Sequence, residues 1–424
     1  MNKYLVYLEI MGTPQIVGSI YGNGFRDAVF QYSRDYITSE NSLPISVSLP
    51  FSENPFSTEE TKCFFEGLLP EGFSRKSVAN WIKTDEEDYL SILQALGREC
   101  LGALMIVKEG EVLQESGYKL LTLDKVKELA SEGATKSTQI LMETHLSLAG
   151  ASGKVGLYFD DDNNKWYLPE GKAPSNYIVK QSHVRLSGIV LNEELCMLTA
   201  KELGIDTPKS FIINTGKGKD SEVLFATNRY DRVTSSEKRI KGLKVPFRLH
   251  QEDFAQAMGI SSNQKYETKK NGYLSRMFEI IREYTTNPIA EQMKLWRILC
   301  FNYLIGNGDA HVKNYSLLYS ENLKRITVAP AYDIVCTRCY NLRDEMSMFI
   351  GNEIYFKNIK RATFIEAAKE AGLTGNVALR IFDEVADGFE TALEKASENL
   401  EETGIAGVCE LKNKILEYSG YKNI

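Results

Sequence analysis

Hydrophobic and polar residues alternate in short runs along the first hundred residues, a pattern that predicts strands. Residues 4–10 and 16–21 both alternate and flank Gly12-Thr13-Pro14, which predicts a β-hairpin. Further strands are predicted at residues 30–37, 45–49 and 101–107, and helices at residues 58–69 and 88–96. Residues 1–110 therefore form a predicted small α/β unit, which carries no catalytic signal and is expected to brace the molecule or dock a partner.

The next 140 residues contain a polar connection and then several short elements. Residues 111–140 are polar and charged, with one short predicted helix. A longer amphipathic helix is predicted at residues 191–203, where Asn192 would cap the first turn. The other predicted elements are the connecting helix at 123–130 and strands at 166–168, 177–179, 211–214 and 223–227.

From residue 252 onward helical periods dominate the hydrophobic pattern. One strand is predicted at residues 346–350. Helices are predicted at residues 274–284, 289–304, 364–371, 376–400 and 408–418. The pattern predicts an α+β protein of three units, at residues 1–110, 111–250 and 251–424.

Composition narrows the class of protein without naming its chemistry. The 424 residues are 43% hydrophobic and 25% charged, as in a globular protein, and the net charge of −7 does not favour nucleic-acid binding by the chain alone. No run approaches the roughly 18 apolar residues of a membrane helix. Seven cysteines, mostly in apolar runs, predict buried thiols in a reducing cytoplasm. Cys336-Thr337-Arg338-Cys339 has no further suitably spaced ligand, so a zinc or redox site is not the favoured interpretation.

The strongest chemical signal is the segment 305–314, which reads Ile-Gly-Asn-Gly-Asp-Ala-His-Val-Lys-Asn. A hairpin is predicted at residues 315–329, and Asp333 follows it. Phosphoryl transfer from ATP needs one carboxylate to accept the proton of the attacking hydroxyl, and a carboxylate with an amide oxygen to hold magnesium. Protein kinases space these groups as Asp-x4-Asn, hairpin and Asp. Asp309, Asn314 and Asp333 match that order, although the Asn-Gly-Asp run alone is also typical of a turn.

Weaker signals for the same chemistry lie upstream. Small residues cluster at 147–153, followed by Lys154 and a predicted strand. Glycines let backbone N–H groups approach phosphate oxygens, although a structural turn explains the cluster equally well. Lys180 ends a predicted strand, where a kinase lysine holds the α- and β-phosphates. A solvated lysine at a strand end is the alternative.

The predicted helix at 191–203 begins with Glu193 and Glu194, and a kinase needs one helical glutamate to pair with its lysine. Acidic residues also suit the positive end of a helix dipole. Residues 228–232 then follow a strand pair, where a kinase chain crosses between its lobes. Agreement in order among these signals favours a kinase more strongly than any one of them does.

These residues resemble the HipA family of bacterial toxin kinases along essentially the whole chain. The matching stretches are Ser48-Leu49-Pro50 and residues 64–72, 96–103, 147–151, 192–193, 203–205, 229–232, 306–314 and 329–333. The resemblance implies a two-lobed, protein-kinase-like fold with an N-terminal α/β subdomain, a mainly helical C-terminal domain and ATP between them. It also implies a cytoplasmic serine/threonine kinase that uses ATP and Mg²⁺.

The resemblance also assigns site residues. The family's catalytic aspartate falls on Asp309, its magnesium ligands on Asn314 and Asp333, and its ATP lysine and helical glutamate on Lys180 and Glu193. The other implied ATP-binding positions lie in the glycine-rich loop and the lobe crossover: Ala149, Gly150, Ala151, Ser152, Gly153, Lys154, Asn228, Arg229 and Tyr230. Adenine contacts at the crossover are expected to use backbone groups.

The family's inhibitory autophosphorylation serine falls on Ser147, just before the glycine-rich loop. A phosphate there adds up to two negative charges and is expected to eject the loop from the ATP phosphates. Ser152 and Gly153 stand where many members carry Gln and Glu, which puts the detailed phosphate contacts in question. The implied partners are a HipB-like helix-turn-helix antitoxin, operator DNA through that antitoxin, and an aminoacyl-tRNA synthetase whose phosphorylation causes growth arrest or persistence.

Two further residues of the Asp309 segment belong to the predicted catalytic set. His311 is expected to be structural, with a hydrogen bond near the metal aspartate, and Lys313 to neutralise charge on the transferred phosphoryl group. One alternative function is a small-molecule phosphotransferase, because aminoglycoside and choline kinases have a similar catalytic loop. Another is a non-catalytic co-repressor that binds the antitoxin. The N-terminal unit and Ser147 argue against the first alternative, and the complete set of site residues against the second.

Overall fold

The computed structural model describes residues 1–424 except 41, 113–114, 131–153, 183–185, 341, 343 and 424. The first sheet contains the predicted hairpin, formed by β1 (Asn2–Ile10) and β2 (Thr13–Gly22). Its turn uses Gly12 at a φ of 74°, a conformation open to glycine without steric cost. With β3 (Val29–Tyr32) and β4 (Leu104–Lys108), the antiparallel order is β3-β2-β1-β4.

Helices follow and cover this sheet. Strand β3 ends before Ser33, whose side chain caps the short helix α1 (Arg34–Ile37), so the single strand predicted at 30–37 is wrong in its second half. The two predicted helices are confirmed, and the structure adds a third that the pattern did not indicate. These three are α2 (Thr58–Glu66), α3 (Gly72–Trp81) and α4 (Tyr89–Leu96).

The strand predicted at residues 45–49 is wrong, because this segment forms turns. The N–H of Ile45 donates to the Tyr32 hydroxyl oxygen at 2.9 Å, and the N–H of Val47 donates to a Glu252 carboxylate oxygen at 3.1 Å. Apolar side chains alternate here because some of them face the core, while these backbone groups bond to side chains instead of a neighbouring strand.

A second sheet of six antiparallel strands forms the next layer. Its strands are β5 (Gly117–Leu121), β6 (Lys154–Asp160), β7 (Lys165–Glu170), β8 (Tyr177–Gln181), β9 (Ser210–Asn214) and β10 (Val223–Asn228). Their order across the sheet is β5-β7-β6-β8-β10-β9. Helix α5 (Leu123–Ala130) follows β5, and helix α6 (Ile189–Glu202) follows β8. The predicted pairing of residues 211–214 with 223–227 is confirmed.

The remainder of the described chain is mainly helical with three small sheets. The strands are β11 (Arg232–Ile240), β12 (Leu243–Arg248), β13 (Gln251–Asp253), β14 (Ser316–Tyr319), β15 (Ile326–Val328), β16 (Glu345–Ile350) and β17 (Glu353–Tyr355). The helices are α7 (Phe254–Ala257), α8 (Tyr273–Tyr284), α9 (Pro288–Ile305), α10 (Thr363–Glu370), α11 (Gly375–Glu401) and α12 (Val408–Tyr418). The five predicted helices and the β14–β15 hairpin are confirmed. None of the helices described is long and apolar enough to cross a bilayer.

One large apolar core and two smaller ones hold the described elements together. One contiguous core includes Phe30 of the first sheet and Trp296 of α9, so the N-terminal unit packs with the helical region. A separate core lies on the six-stranded sheet around Leu157, Tyr177 and Val179. The mixed architecture confirms the predicted α+β class, while the predicted unit boundaries remain predictions.

A buried ionic cluster joins the first α/β unit to residues 229–248. We call it the arginine cluster, and it comprises Arg229, Arg232, Arg248, Glu9, Glu99 and Asp231. Glu99 lies at its centre, within 3.0 Å of guanidinium nitrogens of Arg229 and Arg232 and 2.8 Å from one of Arg248. Burial alone would raise the pKa of the Glu99 carboxyl, but the three guanidiniums, Arg232 foremost, hold that pKa well below its usual range.

Candidate active site

Helix α9 delivers Asp309 to a cavity between the six-stranded sheet and the helical region. The helix ends at Gly306, whose φ of 81° lies in the left-handed region that favours glycine. The N–H of Asp309 donates to the Asn307 side-chain oxygen at 3.1 Å, and the amide nitrogen of Asn314 donates to the Asp309 carbonyl at 2.9 Å. These bonds fix the loop backbone while the Asp309 side chain stays exposed.

Asp333 lies beyond the β14–β15 hairpin in a backbone conformation that is uncommon for its residue type. Its φ is 56°, in the left-handed region, and such non-glycine positions concentrate at functional sites. Lys180 on β8 approaches Asp333 Oδ1 at 2.7 Å and Glu193 Oε1 at 2.7 Å. Three residues separated along the chain therefore meet in one ion-pair set, in which Lys180 and Glu193 are buried and Asp333 is half-buried.

The lysine charges stabilise the ionised form of Asp333, and the two carboxylates stabilise the ammonium of Lys180. Burial alone would raise the pKa of the Asp333 carboxyl, but Lys180 foremost and then Lys154 hold that pKa well below its usual range. Burial alone would lower the pKa of Lys180, but Asp333 and Glu193 raise it above its usual value. Asp333 is thus a carboxylate and Lys180 an ammonium at neutral pH.

Helix α6 begins earlier than the sequence pattern indicates. Gly188, at a φ of 76°, is its N-cap, so the predicted cap at Asn192 is wrong and Glu193 lies in the second turn. The Asn192 side chain instead accepts a hydrogen bond from the Cys336 N–H at 2.9 Å and donates one to the Cys336 carbonyl at 3.2 Å. This contact fixes α6 to the segment that follows Asp333.

Of the two adjacent glutamates, only Glu193 pairs with Lys180, and Glu194 is buried elsewhere. Burial foremost, with a smaller contribution from neighbouring Glu193, raises the pKa of the Glu194 carboxyl to about 7. Between about pH 4.5 and 7 the unfolded chain therefore loses this proton before the folded protein does, so folding stability falls as pH rises.

Replacing Glu194 by glutamine is expected to remove this pH-dependent loss. The stability of Glu194→Gln relative to the original protein should increase from pH 5 to pH 8, reaching a difference of about 1–3 kcal/mol. Urea unfolding at several pH values measures the difference. Glu202→Gln, at an exposed position of the same helix, is the control and should show no such trend. A difference that is constant with pH would contradict the prediction.

Lys154 is the one residue of the predicted glycine-rich loop that the structure describes. It begins β6, opposite Lys180 of β8, and burial lowers its pKa to about 8 while Asp333 opposes that shift. The Lys154 side chain lines the same cavity. The remaining predicted loop positions and the predicted phosphorylation site lie outside the described residues: Ser147, Ala149, Gly150, Ala151, Ser152 and Gly153.

At the predicted lobe crossover, residues 228–230, several backbone and side-chain groups already bond to other parts of the protein. The N–H groups of Asn228 and Arg229 donate to the carbonyls of Lys209 and Asn176 at 2.7 and 2.8 Å. The Arg229 side chain belongs to the arginine cluster, which accounts for the charge at that position. Tyr230 lines the cavity and donates its hydroxyl hydrogen to Gln251. That adenine contacts use backbone groups here remains a prediction.

His311 and Lys313 line the cavity in surroundings that the sequence did not indicate. Burial foremost and then Lys265 lower the pKa of His311 to about 3, so its ring is neutral. Its Nδ1 is buried without a hydrogen-bond partner among the described residues. Lys313 donates to the Gly67 carbonyl at 3.0 Å and pairs with Asp253 at 3.0 Å. Neutralisation of a phosphoryl group by Lys313 would compete with these contacts.

The first α/β unit, in which the sequence shows no catalytic signal, also contributes residues to the lining of the cavity. Glu71, just before α3, lines the cavity and lies 3.5 Å from Lys313 and 2.5 Å from Lys265. Asp253, Lys265 and Tyr266 were also missed. Glu71 falls inside a stretch that carries the family resemblance, which was the one available signal for it.

The cavity matches a nucleotide in size and in the chemistry of its lining. Its volume is about 650 Å³, within the range of roughly 300–1,000 Å³ for small-molecule sites. Its apolar lining residues include Ile178, Val190, Met197 and Phe225. Its charged and polar lining residues include Lys154, Lys180, Glu193, Asp309, Asn314 and Asp333. An apolar base and a charged phosphate chain would find complementary surroundings in it.

The two cysteines of the Cys336–Cys339 pair are both free, with sulfurs 3.3 Å apart. Among the residues that the structure describes, no group of three or more His, Cys, Asp or Glu side chains could hold a metal ion. The pair therefore gains no further ligand from elsewhere in the described chain.

Comparisons with known proteins identify a family of kinases that this chain matches. The model of the HipA N-terminal domain matches residues 8–107, and that of the HipA-like C-terminal domain matches residues 146–393. A putative kinase, Y4mE of Sinorhizobium fredii, is 30% identical over 400 residues, which are 92% of each chain. The serine/threonine-protein kinase toxin HipA of Shewanella oneidensis is 26% identical over 336 residues, 76% of this chain and 73% of that protein.

A solved structure shows the same fold. HipA in the Shewanella oneidensis complex of HipA, HipB and operator DNA has a TM-score of 0.79 and 22% sequence identity, and the match covers 97% of this chain and 96% of that one. The two family models together span most of the sequence, the N-terminal model first and the C-terminal model after it. The chain is therefore an enzyme that belongs to the HipA family of serine/threonine kinase toxins.

Proposed function

We propose that this protein transfers the γ-phosphoryl group of ATP to a serine or threonine hydroxyl of a protein, with Asp309 as the base. One observation carries the proposal: Lys180 lies 2.7 Å from both Glu193 and Asp333, in a nucleotide-sized cavity that Asp309 also lines. Kinases need a lysine paired with a helical glutamate, and a metal-binding aspartate in place beside the phosphates, for transfer.

The chemistry divides among residues that the cavity already holds. The acceptor oxygen forms a bond to the γ-phosphorus as the bond to the β,γ-bridging oxygen breaks, and that electron pair leaves with ADP. The acceptor proton passes to the Asp309 carboxylate. Lys180 holds the α- and β-phosphates, and Lys154 adds charge beside them because its pKa of about 8 leaves it mostly protonated at neutral pH.

The donor set fits Mg²⁺, which prefers oxygen ligands. Asp333 is ionised at neutral pH because Lys180 and Lys154 hold its pKa down. The side-chain nitrogen of Asn314 donates to the Asp309 carbonyl, so the side-chain oxygen of Asn314 points away from that carbonyl. Asp333 and Asn314 would hold the ion, and bound magnesium neutralises charge on the phosphates.

Replacing Lys180 by methionine is expected to weaken ATP binding about tenfold, because one charge-assisted contact to phosphate is lost and two carboxylates are left without their cation. Isothermal titration with ATP and magnesium measures the affinity. Lys119→Met, at an exposed position on β5 of the same sheet, is the matched control and should bind ATP normally. Equal affinities of Lys180→Met and the original protein would contradict this role.

Self-phosphorylation at Ser147 is part of the proposal. The family resemblance supports it, as does the position of Ser147 seven residues before Lys154, which begins β6 and lines the cavity. A phosphate at Ser147 would repel the ATP phosphates and lower ATP affinity. Unchanged ATP affinity in a fully Ser147-phosphorylated sample would contradict the regulatory part.

We further propose that the protein acts in the cytoplasm with a HipB-like helix-turn-helix antitoxin, contacting operator DNA only through it. The likeness to a HipA solved with HipB and operator DNA supports this partner. An aminoacyl-tRNA synthetase is the proposed target, on the family resemblance, and its phosphorylation would cause growth arrest or persistence.

Transfer to proteins and transfer to small molecules can be separated in one assay. Unphosphorylated full-length protein is incubated with γ-labelled ATP and magnesium, with purified bacterial aminoacyl-tRNA synthetases in one series and with aminoglycosides or choline in another. The proposal predicts label on one synthetase and none on the small molecules. Label on a small molecule alone would favour a phosphotransferase of the antibiotic-kinase type.

A further inference from the structure

A tyrosine hydroxyl lies directly against the side chain of Asp309. The Tyr266 hydroxyl donates a hydrogen bond of 2.6 Å to Asp309 Oδ1. The Tyr266 ring also meets the His311 ring nearly at right angles, with 5.2 Å between centroids. Hydrogen bonds to an ionised acceptor are shorter and about twice as strong as neutral ones. This bond therefore favours one orientation of an otherwise exposed carboxylate.

The segment that carries Tyr266 is anchored on both sides. The ammonium of Lys265 lies 2.5 Å from Glu71 of the first α/β unit. The N–H of buried Glu267 donates to the Ser347 carbonyl on β16 at 2.8 Å. Because neighbours on both sides are tied to different parts of the molecule, the Tyr266 hydroxyl is held at a defined position beside Asp309.

We propose that Tyr266 is a positioning residue for phosphoryl transfer: its bond to Asp309 Oδ1 turns the other carboxylate oxygen, Oδ2, toward the acceptor hydroxyl. The inference rests on the proposed function, since it concerns the reaction in which Asp309 accepts the proton. Misplacement of a reacting group by about 1 Å can cost on the order of 100-fold in rate, so one orienting bond is significant. Tyr266 also lines the cavity, but because it acts through Asp309, we expect its hydroxyl to affect the rate of transfer and not the affinity for nucleotide.

The direct test is Tyr266→Phe in the full-length protein, with self-labelling from γ-labelled ATP followed over a range of ATP concentrations. The maximal rate constant is expected to fall about tenfold, as for the loss of a hydrogen bond to a charged group, while the ATP concentration for half-maximal rate changes less than about twofold. A general structural defect would not lower the maximal rate constant while leaving the ATP concentration for half-maximal rate unchanged.

Tyr273→Phe is the matched control. The Tyr273 hydroxyl donates a hydrogen bond of the same length, 2.6 Å, to the Gln264 carbonyl, and so braces the same segment two residues before Tyr266. Its removal is expected to leave the maximal rate constant within about twofold of the original. Equal losses in the two variants would assign Tyr266 a bracing role only and overturn the proposal.

Two other results would also overturn it. An unchanged rate in Tyr266→Phe would show that Asp309 needs no such orientation. A faster rate would show that the Tyr266 hydroxyl blocks the acceptor position. If the original protein does not label itself, the self-phosphorylation part of the proposed function fails, and crystal structures of both proteins test the positioning separately. We expect one Asp309 rotamer with Tyr266 and a changed or split one in Tyr266→Phe, whereas identical rotamers would overturn the inference.

Discussion

Asp309→Asn is expected to lower the rate of phosphoryl transfer by about 100- to 10,000-fold, the usual contribution of a general base. The asparagine amide keeps the size of the side chain and can still accept a hydrogen bond, but it cannot take the proton of the acceptor hydroxyl. ATP affinity should change little, because the contacts to the phosphates come from Lys180 and Lys154. Initial rates of label transfer and titration with ATP measure the two effects separately.

Asp387→Asn makes the same chemical change at an exposed position of α11 and should leave the rate within about twofold of the original. Transfer by Asp309→Asn at more than about a third of the original rate would exclude Asp309 as the base. Loss of ATP binding together with activity would instead indicate that the substitution disturbs the loop between Gly306 and Asn314.

Glu99→Gln is expected to lower the free energy of unfolding by about 3–5 kcal/mol, because the three buried guanidiniums lose one of the three carboxylates that balance their charge. Glu99 accepts bonds of 3.0 Å from Arg229 and Arg232 and of 2.8 Å from Arg248. Glutamine keeps the volume but removes the charge and one acceptor oxygen. Urea unfolding at neutral pH measures the loss.

The pH dependence of this loss distinguishes charge from packing. The pKa of Glu99 is held below its unfolded value, so its contribution is complete above about pH 4.5 and is lost as pH falls through the lower folded-state pKa. The difference between Glu99→Gln and the original should therefore be constant from pH 8 to 5 and shrink in stronger acid. Glu390→Gln, exposed on α11, is the control. A difference below about 1 kcal/mol at neutral pH would contradict a charge-neutralising role.

Local spacing was sufficient to predict the centre of the candidate site. Asp309 and Asn314 lie on one short loop after a long helix, and Asp333 follows a hairpin whose two strands alternate clearly. Lys180 ends a strand and Glu193 belongs to the next helix, so their meeting follows from the order of elements along the chain. Such contacts depend on elements that each have a strong local pattern.

Contacts between distant parts of the chain could not be predicted in the same way. Lys313 bonds to the carbonyl of Gly67, 246 positions away, and the partners of Arg229 include Glu99, 130 positions away. No periodicity links such residues, since the contact exists only once the first α/β unit packs on the helical region. The sequence alone therefore gave no reason to exclude a contact of Lys313 with phosphate or of Arg229 with ATP.

Local patterns also failed where side chains replace backbone partners. Residues 45–49 have the alternation of a strand, but the Tyr32 hydroxyl and the Glu252 carboxylate bond their backbone. Helix α6 begins at Gly188, a residue without a capping side chain, three positions after residues outside the described chain. Asn192 looked like a cap because its residue type favours caps, yet it is buried against Cys336.

The measurement that tests the central claim most directly is phosphosite mapping by mass spectrometry after incubation with ATP and magnesium, beginning from a sample shown to be unphosphorylated. We predict phosphate on Ser147 in the original protein and none in Asp309→Asn. Absence of phosphate on this protein and on every added protein, with small molecules labelled instead, would contradict the assignment of a protein serine/threonine kinase.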